Sequence, residues 1–155
     1  LIYVPLIRNL WPKATIVYCH RHPGDIALSC LFQDFRINWM TRHFRTPSAT
    51  VAHCEQLLGL WSSWQDQLDP AAVVMRYEDL VTDPEKAIRS LADACGLTFE
   101  PEMIEGRKAA PAAKTASYAQ VIEPIHDRSV GRWESYRDHF GESAARIDAL
   151  SESFG

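Results

Sequence analysis

Glycine is sparse in this chain: seven residues, at 24, 59, 96, 106, 131, 141 and 155, and neighbouring ones never lie closer than ten positions. A G-x-x-x-x-G-K loop, whose backbone N–H groups cradle phosphates, therefore cannot be drawn in these 155 residues. Four cysteines show no C-x-x-C spacing, and they fall mostly on segments that read as buried strand or helix. Reduced, packed thiols are expected, which fits a cytoplasmic compartment. No apolar run approaches the length of a membrane span. Positive charge is in deficit, 16 Lys and Arg against 20 Asp and Glu, for a net charge of −4. That balance argues against a nucleic-acid binder that neutralises many phosphates at once, so any anion site must be a local cluster. The opening Leu1-Ile2-Tyr3-Val4 has neither an initiator Met nor the charge pattern of a signal peptide, and it reads as a piece of a longer chain.

What is present is ordinary for a soluble globule: 46% apolar and 23% charged residues. A chain of this length suits one domain, residues 1–155, burying roughly 70% of its unfolded surface. Leu6, Ile7 and Leu10 predict a short helix ended by Pro12, and Thr15 to His20 predicts a strand. A helix is expected from Gly24 to near Phe35, then an irregular, lid-like connection from Ile37 to Thr50. Val51, Cys54, Leu57, Leu58, Trp61, Gln65 and Leu68 recur at helical spacing. Val73 to Tyr77 reads as a second strand ending in Glu78-Asp79, and Asp83-Pro84-Glu85 is a strong helix start, with Gly96 as the C-cap. Two strands separated by helix imply a parallel pair with a right-handed crossover, so the class is α/β and helix-rich.

The chemistry concentrates at the first strand-to-helix junction, Arg21-His22-Pro23-Gly24-Asp25-Ile26-Ala27-Leu28-Ser29. A helix start offers unpaired backbone N–H groups, Arg21 adds a planar fork of donors, and Ser29 adds a hydroxyl two turns on. The alternative is an arginine that merely pairs with a neighbouring acid. Tyr77 stands at the other strand's carboxyl end, which in a parallel sheet is the same edge as Arg21. Its ring is placed to flank a flat base or, more plainly, to pack at the sheet rim. Lys114 and Ser117, in a stretch from Gly106 to Ile125 that lacks an amphipathic period, and Arg132 at the following helix supply further donors. Asp25, four residues before Ser29, reads as a cap or orienter. Six histidines offer no third ligand at useful spacing for a metal. Ser29 lacks the G-x-S-x-G elbow of a hydrolase nucleophile. Trp61, Trp64 and Trp133 read as core; Trp39 and Phe44 read either as lining of a pocket or as surface packing.

Three segments in this order resemble the sulfotransferases: Arg21-His22-Pro23-Gly24-Asp25 with Ser29; Arg76-Tyr77-Glu78-Asp79-Leu80; and Thr115-Ala116-Ser117-Tyr118-Ala119-Gln120-Val121 through Pro124-Ile125 to Ser129-Val130-Gly131-Arg132-Trp133. The resemblance runs from Leu6 to about Phe140 and is nearest to the bacterial branch, often fused to tetratricopeptide repeats and related to tyrosylprotein sulfotransferases. It implies a P-loop NTPase-like three-layer fold and transfer of a sulfuryl group from 3′-phosphoadenylyl sulfate (PAPS) to a hydroxyl or amine, with no metal. Under it, Arg21 and Ser29 bind the donor's 3′-phosphate and Tyr77 contacts the nucleotide near adenine. Ser117 and Arg132, with Lys114 assisting, lie toward the donor's phosphate end, where Ser117 and Arg132 support the transition state. The family's glycine-rich loop and its Glu or His base are not found here, so the resemblance implies a carboxyl-terminal part that is inactive alone. Two other classes stand beside it: a non-catalytic nucleotide-binding or protein-interaction module of the same fold, and a P-loop kinase fragment.

Overall fold

The computed structural model describes residues 1–39, 41–68, 72–104 and 125–154. In chain order these form α1 (Val4–Leu10), β1 (Ile16–His20), α2 (Pro23–Phe32), α3 (Pro47–Leu68), β2 (Ala72–Arg76), α4 (Tyr77–Thr82), α5 (Pro84–Ala94) and α6 (Ser143–Phe154). Short 3₁₀ helices lie at Thr41–His43 and Pro101–Met103, and a longer one at Arg132–Phe140. The result is a helix-rich α/β arrangement around a two-stranded parallel sheet.

β1 and β2 pair from Ile16↔Ala72 to His20↔Arg76. Alternation along each strand puts Ile16, Tyr18 and His20 on one face with Ala72, Val74 and Arg76. That face is covered in part: Tyr18 stacks on Trp61 of α3 with ring centroids 4.1 Å apart, and Ile16 and Ala72 join Val4 and Trp61 in a small core, while Val74 and Arg76 stay exposed. The opposite face carries Val17 and Cys19, both exposed, beside Val73 and Met75 of β2, both half-buried. A second, larger core lies between helices. α3 contributes Val51 and Cys54, α2 contributes Ala27 and Leu28, and Trp133, Phe140 and Ile147 fill the remaining side. Each fully buried large aliphatic here contributes roughly 1.5–3 kcal/mol. Among the described residues, no helix is long and apolar enough to cross a membrane.

Several boundaries differ from the sequence expectation, each for a local reason. α2 stops at Phe32, not Phe35, because Gln33 is extended and Phe32 makes the last packing contact, edge-on to Tyr136. The stretch from Ile37 to Thr50 is not irregular throughout: α3 begins at Pro47, with the Ala49 N–H donating to Thr46 Oγ1. A Thr-Pro pair at the cap and first helical position was the signal for it. Thr50 is fully buried in that first turn, its hydroxyl donating to the carbonyls of His43 and Thr46. Tyr77 does not end β2 but opens α4. In α1 the expected apolar stripe is reversed, since Val4 is buried while Leu6 and Leu10 are exposed. Asp83 caps α5 as expected, accepting from the Lys86 N–H at 3.1 Å, and Gly96 takes φ 70° just beyond its end. The helix expected after residue 130 is wound as 3₁₀ from Arg132 to Phe140, which aligns Trp133 and Tyr136 above one another on the core side.

Candidate functional site

Where β1 ends, Arg21 leaves the sheet beside the start of α4. The register that pairs His20 with Arg76 brings the next residues, Arg21 and Tyr77, into contact: the Arg21 Cζ lies over the Tyr77 ring, 4.3 Å from its centroid. Arg21 Nη2 donates to the Ser129 carbonyl at 2.6 Å. Its Nε is buried and has no hydrogen-bond partner among the described residues. The guanidinium is thus held from two sides with donor capacity left over, and no described carboxylate forms an ion pair with it.

The turn into α2 is built by its neighbours. The His22 N–H donates to Glu78 Oε1 at 2.9 Å, tying the two strand ends together. His22 Nδ1 accepts from the Gly24 N–H at 3.1 Å as the helix cap. Pro23 fills the first helical position. The His22 ring stacks on Trp133, centroids 5.5 Å apart at 21°. Neither His22 nor Glu78 was singled out for a role in the sequence; their only signal was adjacency to Arg21 and Tyr77.

Asp25 is buried at 2% exposure in the first turn of α2, and both its oxygens are used across the chain. Oδ2 accepts from the Gly131 N–H at 2.7 Å and Oδ1 from the Trp133 N–H at 2.9 Å. Between them, Arg132 sends its guanidinium over the Phe32 ring, 5.4 Å from the centroid. Ser29 is exposed on α2, four residues after Asp25 and three before Phe32. Helical spacing puts these three on one face of α2. The structure therefore joins Arg21 directly to Tyr77, and brings Ser29 and Arg132 to one side of α2. Lys114 and Ser117 lie outside the described residues.

His20 borders a small cavity of about 190 Å³ shared with His22, Glu78, Gly131 and Trp133. Burial pushes its imidazole below the usual histidine range; Arg76 and His22 push the same way and Glu78 opposes them. Cys30 on α2 has its thiol raised by burial, partly countered by the Arg21 charge. Among the described residues no group of three or more His, Cys, Asp or Glu is arranged to hold a metal ion.

The model of the Sulfotransferase family matches residues 1–101, nearly two thirds of the chain. That span holds Arg21, Ser29 and Tyr77 and stops short of Arg132. An uncharacterized protein of Aquifex aeolicus (strain VF5) is 28% identical over 153 residues, covering 98% of this chain and 20% of its own length. The chain thus spans about a fifth of that relative.

Proposed function

This chain belongs to the sulfotransferase family, and we propose that its residues form the 3′-phosphate and adenine side of a PAPS site. The observation that carries the proposal is Arg21, fixed at the carboxyl end of β1 by Tyr77 and Ser129 with a buried Nε–H that has no partner among the described residues. A dianionic phosphate is the ligand chemistry that such a guanidinium accepts best. Open α/β sheets bind ligands at this edge.

In this reading Arg21 and the Ser29 hydroxyl donate to the 3′-phosphate. Tyr77 holds the guanidinium over its ring and borders the adenine. Arg132 adds positive charge from the strap that runs beside α2, and Ser117 and Lys114 complete the donor side toward the phosphosulfate. The acceptor oxygen or nitrogen bonds to sulfur as the bond from sulfur to the phosphate's bridging oxygen breaks, leaving adenosine 3′,5′-bisphosphate. Such a transfer rests on in-line positioning and on stabilising charge spread over oxygens, which Arg, Lys and backbone N–H groups supply.

The same reading assigns residues 1–155 to the carboxyl-terminal part of a three-layer P-loop-like domain. Two features support it: no glycine-rich cradle can be drawn in the sequence, and β1 leaves Val17 and Cys19 exposed on one face of the sheet, whereas parallel sheets are covered on both faces. The general base and the phosphosulfate cradle then lie outside these residues, and this chain alone binds donor poorly and does not turn over. The bacterial, tetratricopeptide-associated branch and a cytoplasmic location belong to the same proposal; the longer Aquifex aeolicus relative leaves room for such repeats.

Equilibrium titration with adenosine 3′,5′-bisphosphate and with AMP tests the site. Charge-assisted hydrogen bonds of about 1.5–3 kcal/mol predict a preference of roughly 10- to 150-fold for the bisphosphate. Arg21→Ala should erase it. Equal binding of the two nucleotides by the unaltered protein, or a preference that survives Arg21→Ala, overturns the assignment.

A further inference from the structure

The strap from Ser129 to Trp133 is fixed at more points than a surface turn requires. Its first residue gives its carbonyl to Arg21 at 2.6 Å. Its third and fifth residues donate their N–H groups to the two oxygens of Asp25. The Trp133 ring lies so close over α2 that a Cβ on Gly24 would stand 2.3–2.6 Å from three of its ring carbons. Gly131 supplies the turn, at φ 66°, and nothing lies within 4 Å of where its Cβ would be. Val130 and Arg132, the alternate residues, are exposed.

Asp25 is the unusual member. Its carboxylate is buried, and among the described residues no cation forms an ion pair with it. Burying an ionised carboxylate is costly unless hydrogen bonds and local dipoles compensate. Here the compensation is two backbone N–H groups 106 and 108 residues away, plus the positive end of α2. A carboxylate accepting at both oxygens sets position and angle of the donors, which a single contact would not. With the N–H groups of 131 and 133 both turned toward Asp25, the side chain between them is left to point elsewhere, and Arg132 lies over Phe32 along the Ser29 face.

We infer that Asp25 is a positioning residue for the anion site: by clasping the backbone at Gly131 and Trp133, it sets where Arg132 and the Ser129 carbonyl stand relative to Arg21 and Ser29. This rests on the donor-site reading above. Asp25 touches neither phosphate nor sulfur. It holds the strap in register while Arg21 divides its donors between the Ser129 carbonyl and the ligand. Gly24 serves the same end by leaving room for Trp133.

The test uses two variants and the two nucleotides named above. Asp25→Asn turns an amide N–H₂ toward an N–H donor and breaks one half of the clasp. Gly131→Ala strains the left-handed turn from the solvent side and leaves the core untouched. Adenosine 3′,5′-bisphosphate should bind about tenfold more weakly to Asp25→Asn and about threefold more weakly to Gly131→Ala, the scale of one lost charged hydrogen bond and of mild backbone strain. AMP affinity should stay within about twofold in both, since the strap bears on the 3′-phosphate side. A clasp that only supports the fold would lower both affinities in proportion, or leave the bisphosphate preference of both variants at its original value, and either result overturns the inference. Gly131→Ala decides the matter if Asp25→Asn does not fold. Absence of any bisphosphate preference in the unaltered protein removes the donor-site reading itself, and this inference with it.

Discussion

Arg21 and Tyr77 leave adjacent strands at the same edge and meet face-on, with the guanidinium carbon 4.3 Å from the ring centroid. A cation over an aromatic face is worth roughly 0.5–2 kcal/mol, more as water is excluded. The contact also orients the guanidinium plane, and with it the donors that remain for a ligand.

Replacing the ring should therefore weaken anion binding through Arg21 without touching its charge. Tyr77→Leu is expected to lower affinity for adenosine 3′,5′-bisphosphate by roughly 2- to 30-fold, the span that cation–π energies allow. Tyr77→Phe, which keeps the ring, should bind within about twofold of the original. Calorimetric titration separates the two, and leucine binding as tightly as tyrosine would leave the stacking without a function.

Two glycines on helices predict opposite signs of stability change. At Gly24 a methyl group would press into the Trp133 ring, itself 1% exposed. Overpacking of that kind costs about 1–3 kcal/mol, so Gly24→Ala should lower the urea midpoint measurably. Gly59 is exposed within α3, and nothing lies within 4 Å of a Cβ there. Gly59→Ala should raise stability by about 0.5–1 kcal/mol through helix propensity and unfolded-chain entropy. A neutral Gly24→Ala would show that Trp133 has room to move.

The sequence carried the elements whose signals are local. The Asp83-Pro84-Glu85 start of α5, the 3.6-residue stripe through Val51, Cys54 and Trp61, and the shared edge of Arg21 and Tyr77 follow from spacing and parallel pairing alone. The clasp of Asp25 on Gly131 and Trp133 joins residues more than a hundred positions apart, and no local pattern announces such a bond. Helix ends were misplaced where tertiary packing decided them, as at Phe32, which stops where Tyr136 stops covering the helix. Whether Leu6 or Val4 faced inward in α1 was beyond periodicity, because a seven-residue helix presents two plausible apolar stripes.

α6 is held to α3 by an ion pair and by a buried side chain, and their magnitudes are unequal. Arg146 Nε donates to Glu55 Oε1 at 2.7 Å, and a second guanidinium nitrogen reaches Oε2. That hydrogen bonding holds the Glu55 carboxyl below its usual range. Both side chains remain about one third exposed, so the pair is worth no more than about 1 kcal/mol. Ile147 is 0% exposed at the helix core, and truncating such a residue costs about 2–5 kcal/mol. Urea unfolding should rank Ile147→Ala well below Glu55→Gln, and only the loss caused by Glu55→Gln should shrink in high salt. The reverse ranking would make the ion pair the main fastener of α6.

Stability should fall as the solution is acidified below neutrality, and two histidines set the window. Burial lowers the His20 pKa from 6.5, and burial with the neighbouring His43 lowers that of His53. The His43 and His53 rings stack with centroids 4.8 Å apart and planes within 2°, at the junction of the Thr41–His43 turn with α3. Arg42 Nε faces His43 Nε2, Phe44 sits edge-on to His53, and the nearby Gln56 partly offsets the shift. Because the folded values are depressed, the unfolded chain binds more protons once the pH drops below 6.5. The stabilisation is whole above that point and is lost as pH falls through the lower folded values; the Glu55 carboxyl, held below its usual range by the Arg146 hydrogen bond, does not set this window. Urea midpoints at pH 7.5, 6.5 and 5.5 should fall slightly over the first step and more steeply over the second. His53→Gln should flatten the second step in part, and an unchanged slope in that variant would place the proton uptake elsewhere.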